Sequence, residues 1–323
     1  MRLKNRYRQI IYRICTVAVL VSFSTTLFGC SGGATDNINV SSVDISSSTS
    51  EKRENTTVVL KPEAPGINVL GNEDVSIDYS NCSEGYIVLT YTGSSEKVKF
   101  QLTGDNGVTY TYNIPTNEET VIPLSAGSGH YLMTLFESIS GNQYATNYTG
   151  DFDADISNEF GPYLYPNQYV NFNENTKAVV KAKEVVEGVS CDLEAVSKVY
   201  EFVINNVTYD KEEAETVESS YLPDVDEVLE TGKGICFDYA ALMAAMLRSQ
   251  GIPTRLEIGY AKDAYHAWIS VYTVDEGWIG GVIQFNGVNW TLMDPTLASN
   301  TKDIGKIKDF IGDGSSYTIK YMY

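Results

Sequence analysis

Apolar and polar positions follow two different periods along this chain, and the change falls near Glu159. Before it, from about Thr57 to Asp155, short runs of strand formers are separated by turn residues. The runs are Tyr86–Tyr91, Val98–Leu102, Val108–Tyr112, His130–Phe136 and Tyr144–Tyr148, with Asp105-Asn106-Gly107 supplying one turn. Even spacing with Gly and Asn turns predicts an antiparallel β-sandwich over residues 58–155. After Glu159 the apolar positions fall on helical stripes. Val179, Val180, Ala182 and Val185-Val186 share one within Thr176–Glu187, and Leu193, Val196, Val199-Tyr200 and Val203-Ile204 share another within Asp192–Asn205. Pro223 to Thr231 reads as a short helix with proline at its start and Gly232 behind it. Cys236 to Gln250 is the clearest helix, closed by Gly251 with Pro253 just beyond. Strands follow at Thr254–Tyr260, Ala267–Tyr272, Val282–Phe285 and Trp290–Met293. Helices first and strands after predict an α+β domain over residues 160–323.

The first 29 residues obey neither period. Arg2, Lys4, Arg6, Arg8 and Arg13 form a basic start without an acidic residue, and an apolar stretch from Ile14 to Phe28 follows. A basic region, a short apolar run and a small residue before the cut describe a secretory signal, not a permanent span. The ending Leu27-Phe28-Gly29-Cys30 resembles a bacterial lipoprotein signal. That resemblance implies lipid on Cys30, attachment to the cell membrane there, and a folded body on the extracytoplasmic face. Residues 30–57 are rich in Ser, Thr, Asn and Asp. Too few large apolar groups remain in them to offset the entropy of ordering, so they read as a flexible tether.

Removing residues 1–29 takes away five of 23 basic residues and none of 42 acidic ones, leaving 18 against 42 and a net charge of −24. Phosphate binding needs a basic footprint, so this balance argues against nucleic acid as a partner. Acidity of this kind keeps an exported protein soluble. Of five cysteines, Cys15 leaves with the signal and Cys30 takes the lipid. Cys82 and Cys191 fall in different predicted domains and read as separate buried thiols, not as a disulfide. The alternation Asp151-x-Asp153-x-Asp155 begins like a calcium loop, but Ile156 stands where glycine is needed and Pro162 where an acid is needed. No metal and no cofactor is therefore expected. His130 opens a strand away from any cysteine or acid cluster in the sequence and reads as structural.

Cys236 and His266 are left for chemistry. Gly234-Ile235-Cys236-Phe237-Asp238-Tyr239, Tyr265-His266-Ala267-Trp268 and Trp290-Thr291-Leu292-Met293-Asp294-Pro295-Thr296 bring a thiol, an imidazole and a carboxylate in that order, 30 and 28 residues apart. A thiol nucleophile needs a base for its proton, and the base needs a third group to fix its tautomer. Cys236 is predicted in the first turn of its helix, where free N–H groups and the positive end of the dipole favour thiolate and suit an oxyanion. His266 is predicted to open one strand and Asp294 to close another. As antiparallel neighbours, those strands would set the carboxylate against the imidazole, with Pro295 fixing its direction. Asp238 reads as a first-turn cap that also borders the cleft. Tyr265 reads as a cleft residue. Trp268, Trp278 and Trp290 read as groove lining or core.

These blocks, with the helix ending Leu247-Arg248-Ser249-Gln250-Gly251-Ile252-Pro253-Thr254-Arg255, resemble the bacterial transglutaminase-like superfamily from about Val179 to Thr318. The resemblance implies an α+β, papain-like catalytic domain, here preceded by an all-β sandwich of the immunoglobulin-like kind. It implies Cys236 as nucleophile, His266 as base and Asp294 as the orienting acid. It also implies an upstream aromatic near the oxyanion, for which Tyr209 is the candidate. The activity it implies is acyl-enzyme formation on a Gln or peptide carbonyl of a protein or peptide, cell-wall peptide included. Water would resolve that intermediate as a protease or deamidase, and an amine would resolve it by cross-linking. Ser270 departs from relatives that carry an acidic or amide residue after His-Ala-Trp, and the Asp275–Asn289 segment is longer. Both departures bear on substrate class. The alternative is a non-catalytic cell-surface binding lipoprotein with a vestigial triad.

Overall fold

The computed structural model describes residues 53–274, 276–280, 283–285, 290–292 and 317–323. The signal at 1–29, Cys30, the tether as far as residue 52, and Asp294 lie outside the described residues. The first half contains β1 (Val69–Gly71), β2 (Val75–Asp78), β3 (Tyr86–Tyr91), β4 (Val98–Thr103), β5 (Thr109–Ile114), β6 (Glu119–Pro123), β7 (Gly129–Ser140) and β8 (Gln143–Ala154). They form two four-stranded sheets, ordered β1-β2-β3-β6 and β5-β4-β7-β8, with every pair antiparallel. Alternate residues of β4 and β5 turn inward, so that Phe100, Leu102, Tyr110 and Tyr112 share one core with Ile77, Ile87, Leu89 and Ile122 of the other sheet. β1, β2 and β6 carry too few consecutive strand formers to register as runs in the sequence. The register of β7 and β8 sets Asp153 opposite His130, with Nδ1 2.9 Å from the carboxylate. An acid does flank this histidine, then, brought there by strand pairing that linear spacing does not reveal.

The second half opens with α1 (Lys177–Val185), α2 (Asp192–Asn206), β9 (Thr208–Tyr209), α3 (Lys211–Thr216), α4 (Val225–Thr231), β10 (Lys233–Gly234) and α5 (Cys236–Arg248). Asp210 and Asp224 cap α3 and α4, each accepting from two N–H groups of the first turn. Pro223 therefore precedes the cap of α4 and does not start the helix. From Asp238 to Arg248, α5 is buried at every position, and Ala240, Ala241, Ala244 and Ala245 let its neighbours approach closely. Those neighbours are α1, α2 and α4 together with β11 (Thr254–Ala261) and β12 (Ala264–Thr273). β13 (Gly277–Ile279), β14 (Ile283–Phe285), β15 (Trp290–Leu292) and β16 (Tyr317–Met322) complete the described strands.

The second sheet runs β13-β12-β11-β16, all antiparallel. Among the described residues, β14 and β15 pair only with each other. Nor, among the described residues, are the histidine strand and the Trp290 strand paired with each other. β11 takes one edge of β12 and β13 takes part of the other, while β14 packs beside α2. Cys82 and Cys191 are unpaired and half-buried.

Segments far apart in the sequence bind the body together. Arg53, within the expected tether, donates to Asp192 and to the Gln250 carbonyl, and the Val58 N–H reaches Ser249 O at 2.8 Å. Arg248, buried at the end of α5, donates to the carbonyls of Thr254, Tyr165 and Tyr323 at 3.0, 2.8 and 2.6 Å. Tyr323 stands among Tyr110 and Tyr112 of β5 and Tyr169 of the connecting segment. The described residues consequently belong to one compact unit. None of their helices is long and apolar enough to cross a membrane.

Candidate active site

The approach to Cys236 is fixed by two glycines and a short parallel pairing. Gly232 ends α4 at φ +61°, and a Cβ there would lie 2.9 Å from Asn206 O. β10 then pairs with β9, the Thr208 N–H reaching Gly232 O at 2.8 Å and the Asp210 N–H reaching Gly234 O at 2.9 Å. Gly234 lies against the Asp238 side chain, where a Cβ would come within 2.6 Å of the Asp238 Cβ. Ile235 is the N-cap, and α5 begins at Cys236, half-buried in the first turn. The first N–H groups of a helix have no acceptor within it, so this turn presents donors beside the thiol.

Asp238 closes the turn from inside. Its Oδ2 accepts from the Ile235 N–H at 2.7 Å, and its Oδ1 accepts from the Tyr221 hydroxyl at 2.6 Å. Ile235 has no side-chain acceptor to return the bond, so only half of a capping box is present. Burial pushes the Asp238 carboxyl up to about 6; Tyr221 and Ile235 oppose that rise, and the charges of Glu213 and Glu227 add to it. The Tyr221 phenol is raised as well, by its own burial and then by the Asp238 carboxylate.

His266 is the third residue of β12, not its first, and pairs with Gly259 of β11. The turn at Lys262 and Asp263 lets the strand begin at Ala264. The imidazole shares a face with Trp268, the ring centroids 6.1 Å apart and the planes at 26°. Tyr317 of β16 meets Trp268 edge-on at 5.0 Å. Below them lies Glu257, in register with Trp268 and 2% exposed. Burial raises the Glu257 pKa, with Ser270, the Arg255 charge and Trp268 opposing.

Because α5 packs across β11 and β12, the helix start and the histidine strand belong to one region. Tyr265, 59% exposed beside His266, has its phenol raised first by burial, then by Tyr321 and Tyr260, and also by charge on Cys236. Tyr209 is half-buried and lies in register with Gly234, two residues before the cysteine. Asp294 falls outside the described residues. Trp268 and Asp238, expected at a cleft, are 2% and 0% exposed and offer no open surface. Trp268 is covered by Tyr317 and His266, and Asp238 is turned inward by its two donors. Trp278 is half-buried over Arg255, 3.6 Å from ring centroid to guanidinium. No group of three metal-ligating side chains occurs among the described residues. Glu257 and Tyr221 escape sequence reading: a charged residue in a strand and a tyrosine in a polar loop both read as surface.

Residues 180–280 match the transglutaminase-like superfamily. Cys236 and His266 lie inside that match and Asp294 beyond it. An uncharacterized protein of Bacillus subtilis strain 168, YebA, is 31% identical over 94 residues, which cover 23% of this chain and 13% of that protein. The chain thus spans only a small part of the curated relative it matches. Among solved structures, a provisionally assigned cysteine protease from Cytophaga hutchinsonii is 16% identical at a TM-score of 0.34, over 71% of this chain and 69% of its own. Red sea bream transglutaminase is 14% identical at 0.28, over 65% of this chain and 48% of its own. Likenesses at this level leave the overall fold to be argued from the chain's own elements.

Proposed function

We propose that this chain is an exported thiol enzyme of acyl transfer with Cys236, His266 and Asp294 as its triad. Cys236 Sγ attacks the carbonyl carbon of a Gln side chain or a peptide bond. His266 takes the thiol proton and returns it to the departing nitrogen, while Asp294 holds the other side of the ring. A C–S bond forms as the C–N bond breaks, and ammonia or an amine leaves. First-turn N–H groups of α5 carry the oxyanion, with Tyr209 alongside. Water then gives a free acid, or an amine gives a new amide, and either step regenerates the thiol. Hydrolysis of a peptide substrate is the favoured outcome, with Tyr265 at the edge of the cleft.

One observation carries this reading: α5, which begins at Cys236, packs against β12, the strand that carries His266. The superfamily match around both residues supports it. Lipid on Cys30 would hold the enzyme at the outer face of the membrane. The sandwich is read as immunoglobulin-like because the chain passes between its sheets after β3, β5 and β6.

Alkylation of Cys236 by iodoacetamide, followed by mass spectrometry across pH in wild type and His266→Ala, tests the first step. An active pair reacts well below an isolated thiol's pKa of about 8.5, and only while His266 is present. A profile centred on the isolated-thiol value and indifferent to His266 would leave only a surface-binding role. Trapping the acyl-enzyme with cell-wall peptides and Gln-containing proteins, with and without an added amine, then separates hydrolase from transferase.

A further inference from the structure

The first turn of α5 is held by a residue from outside the helix. A usual N-cap, Ser, Thr, Asp or Asn, spends its side-chain oxygen on the first-turn N–H groups. Ile235 is the N-cap here and has no such oxygen, so no cap side chain takes those donors beside Cys236. The turn is held instead through Asp238, whose Oδ2 accepts from the Ile235 N–H at 2.7 Å. Asp238 is 0% exposed, and its Oδ1 accepts from the Tyr221 hydroxyl at 2.6 Å. Tyr221 comes from the strap between α3 and α4, and both helices are tied to the same approach. Asp210, which caps α3, gives its N–H to Gly234 O at 2.9 Å, and α4 ends at Gly232. The Tyr221 ring also meets Phe237, the residue after Cys236, edge-on at 6.4 Å, while the Tyr169 ring lies 5.8 Å from Phe237.

We propose that Tyr221 is a positioning residue for Cys236: by donating to Asp238 it fixes the first turn of α5, and that turn aims the thiol and the N–H groups beside it at one carbonyl. A buried carboxylate oxygen that loses its donor is costly to keep, and the side chain escapes the cost by turning away or by taking a proton. Either change weakens the hold on the Ile235 N–H. The surroundings favour that escape. Burial raises the Asp238 carboxyl, the charges of Glu213 on α3 and Glu227 on α4 raise it further, and Tyr221 opposes them. A nucleophile works only when aimed, and small misplacement lowers the rate steeply. The proposal rests on the thiol-enzyme reading above and adds the residue that steadies its nucleophile.

The test uses the full chain and reads the pH profile of iodoacetamide alkylation at Cys236, a probe that needs no substrate. Tyr221→Phe removes the hydroxyl and keeps the ring on Phe237. It is expected to lower the rate between pH 6 and 7 by about tenfold and to move the midpoint toward the isolated-thiol value of about 8.5. Tyr221→Ala removes the ring as well and is expected to match Tyr221→Phe, because the hydroxyl does the aiming. Asp238→Ala is expected to give the same profile, and adding Tyr221→Phe to it is expected to change nothing further, as members of a single relay do. Near-UV circular dichroism checks that each variant is folded. If Asp238→Ala does not fold, Tyr221→Phe against Tyr221→Ala decides alone. A residue that only stabilises the fold would lower the melting temperature and leave the midpoint in place. Folded Tyr221→Phe with a wild-type midpoint therefore overturns the proposal, as does a fully additive double variant. A wild-type profile that ignores His266→Ala is a different failure, since it removes the thiol-enzyme reading itself and the positioning role with it.

Discussion

Asp238 is the residue at which location and chemistry are most in tension. It follows Cys236 by two positions, points inward, and is raised to about 6 chiefly by burial. An unfolded aspartate titrates near 3.8, so protons bind the folded form more tightly between those two values. The stability it contributes is therefore complete below about pH 3.8 and is lost as pH rises through 6. The size of the loss is on the order of 2–3 kcal/mol. Asp238→Asn keeps one oxygen to accept from the Ile235 N–H, can donate its amide to the Tyr221 hydroxyl oxygen, and has no charge to bury. Thermal melts should find the variant more stable than wild type at pH 7.5, with the gap closing near pH 4. A gap that stays constant with pH would mean the carboxyl is not held above its ordinary range. The sequence identifies Asp238 as a first-turn residue but not as a buried one. Its burial depends on Tyr221, 17 residues earlier, which comes from the loop between α3 and α4.

Among the elements, α5 was the most legible in the sequence, because its signals are local. Helical periodicity, the glycines ahead of Cys236 and Gly251 behind Gln250 set its limits to within two residues of those observed. The glycines also yield a prediction. Ala in place of Gly234 would force its Cβ against the Asp238 side chain and displace the first turn. Gly234→Ala should cost about 1–3 kcal/mol in denaturant melts and slow Cys236 alkylation, because the same turn aims the thiol. Wild-type values for both would mean that Asp238 yields without moving the helix. Strand limits were harder to read, for a reason visible at Lys262. The β11–β12 turn has Lys262 at φ +55°, where Asn or Gly is the usual signal. With that signal missing, the sequence places the start of the strand at His266–Ala267, whereas it starts at Ala264. Partnering of strands was less legible still, since β15 pairs with β14 and β16 arrives at β11 from far along the chain. Long-range pairing leaves no local trace.

At the scale of the whole molecule, the sequence suggests two bodies, a sandwich and a catalytic domain, and the aromatic residues argue that they melt as one. Tyr323 is bonded to Leu256 in both directions, at 2.9 Å each way, which fixes the end of the chain to β11. Its ring packs on Tyr169 at 4.1 Å and meets Tyr110 and Tyr112 of β5 edge-on at 5.5 and 6.1 Å. One side chain thus bridges the sandwich and the sheet that carries His266. Arg248 adds a second bridge, since it reaches Tyr323 from α5 and Tyr165 from the connecting segment. Domain interfaces within a chain are usually polar and loosely coupled, and such domains unfold separately. A buried tyrosine cluster of this kind predicts the opposite, a single calorimetric transition for the body. Tyr323→Ala empties the centre of that cluster and should remove about 3–5 kcal/mol, as truncation of a buried aromatic does. The wild-type transition should then separate into two, with the loss of Cys236 alkylation following the one that belongs to the α5 region. Two transitions already resolved in the wild type would show instead that the tyrosines meet without coupling the halves, and the sandwich would then be an independent module carried ahead of the second half.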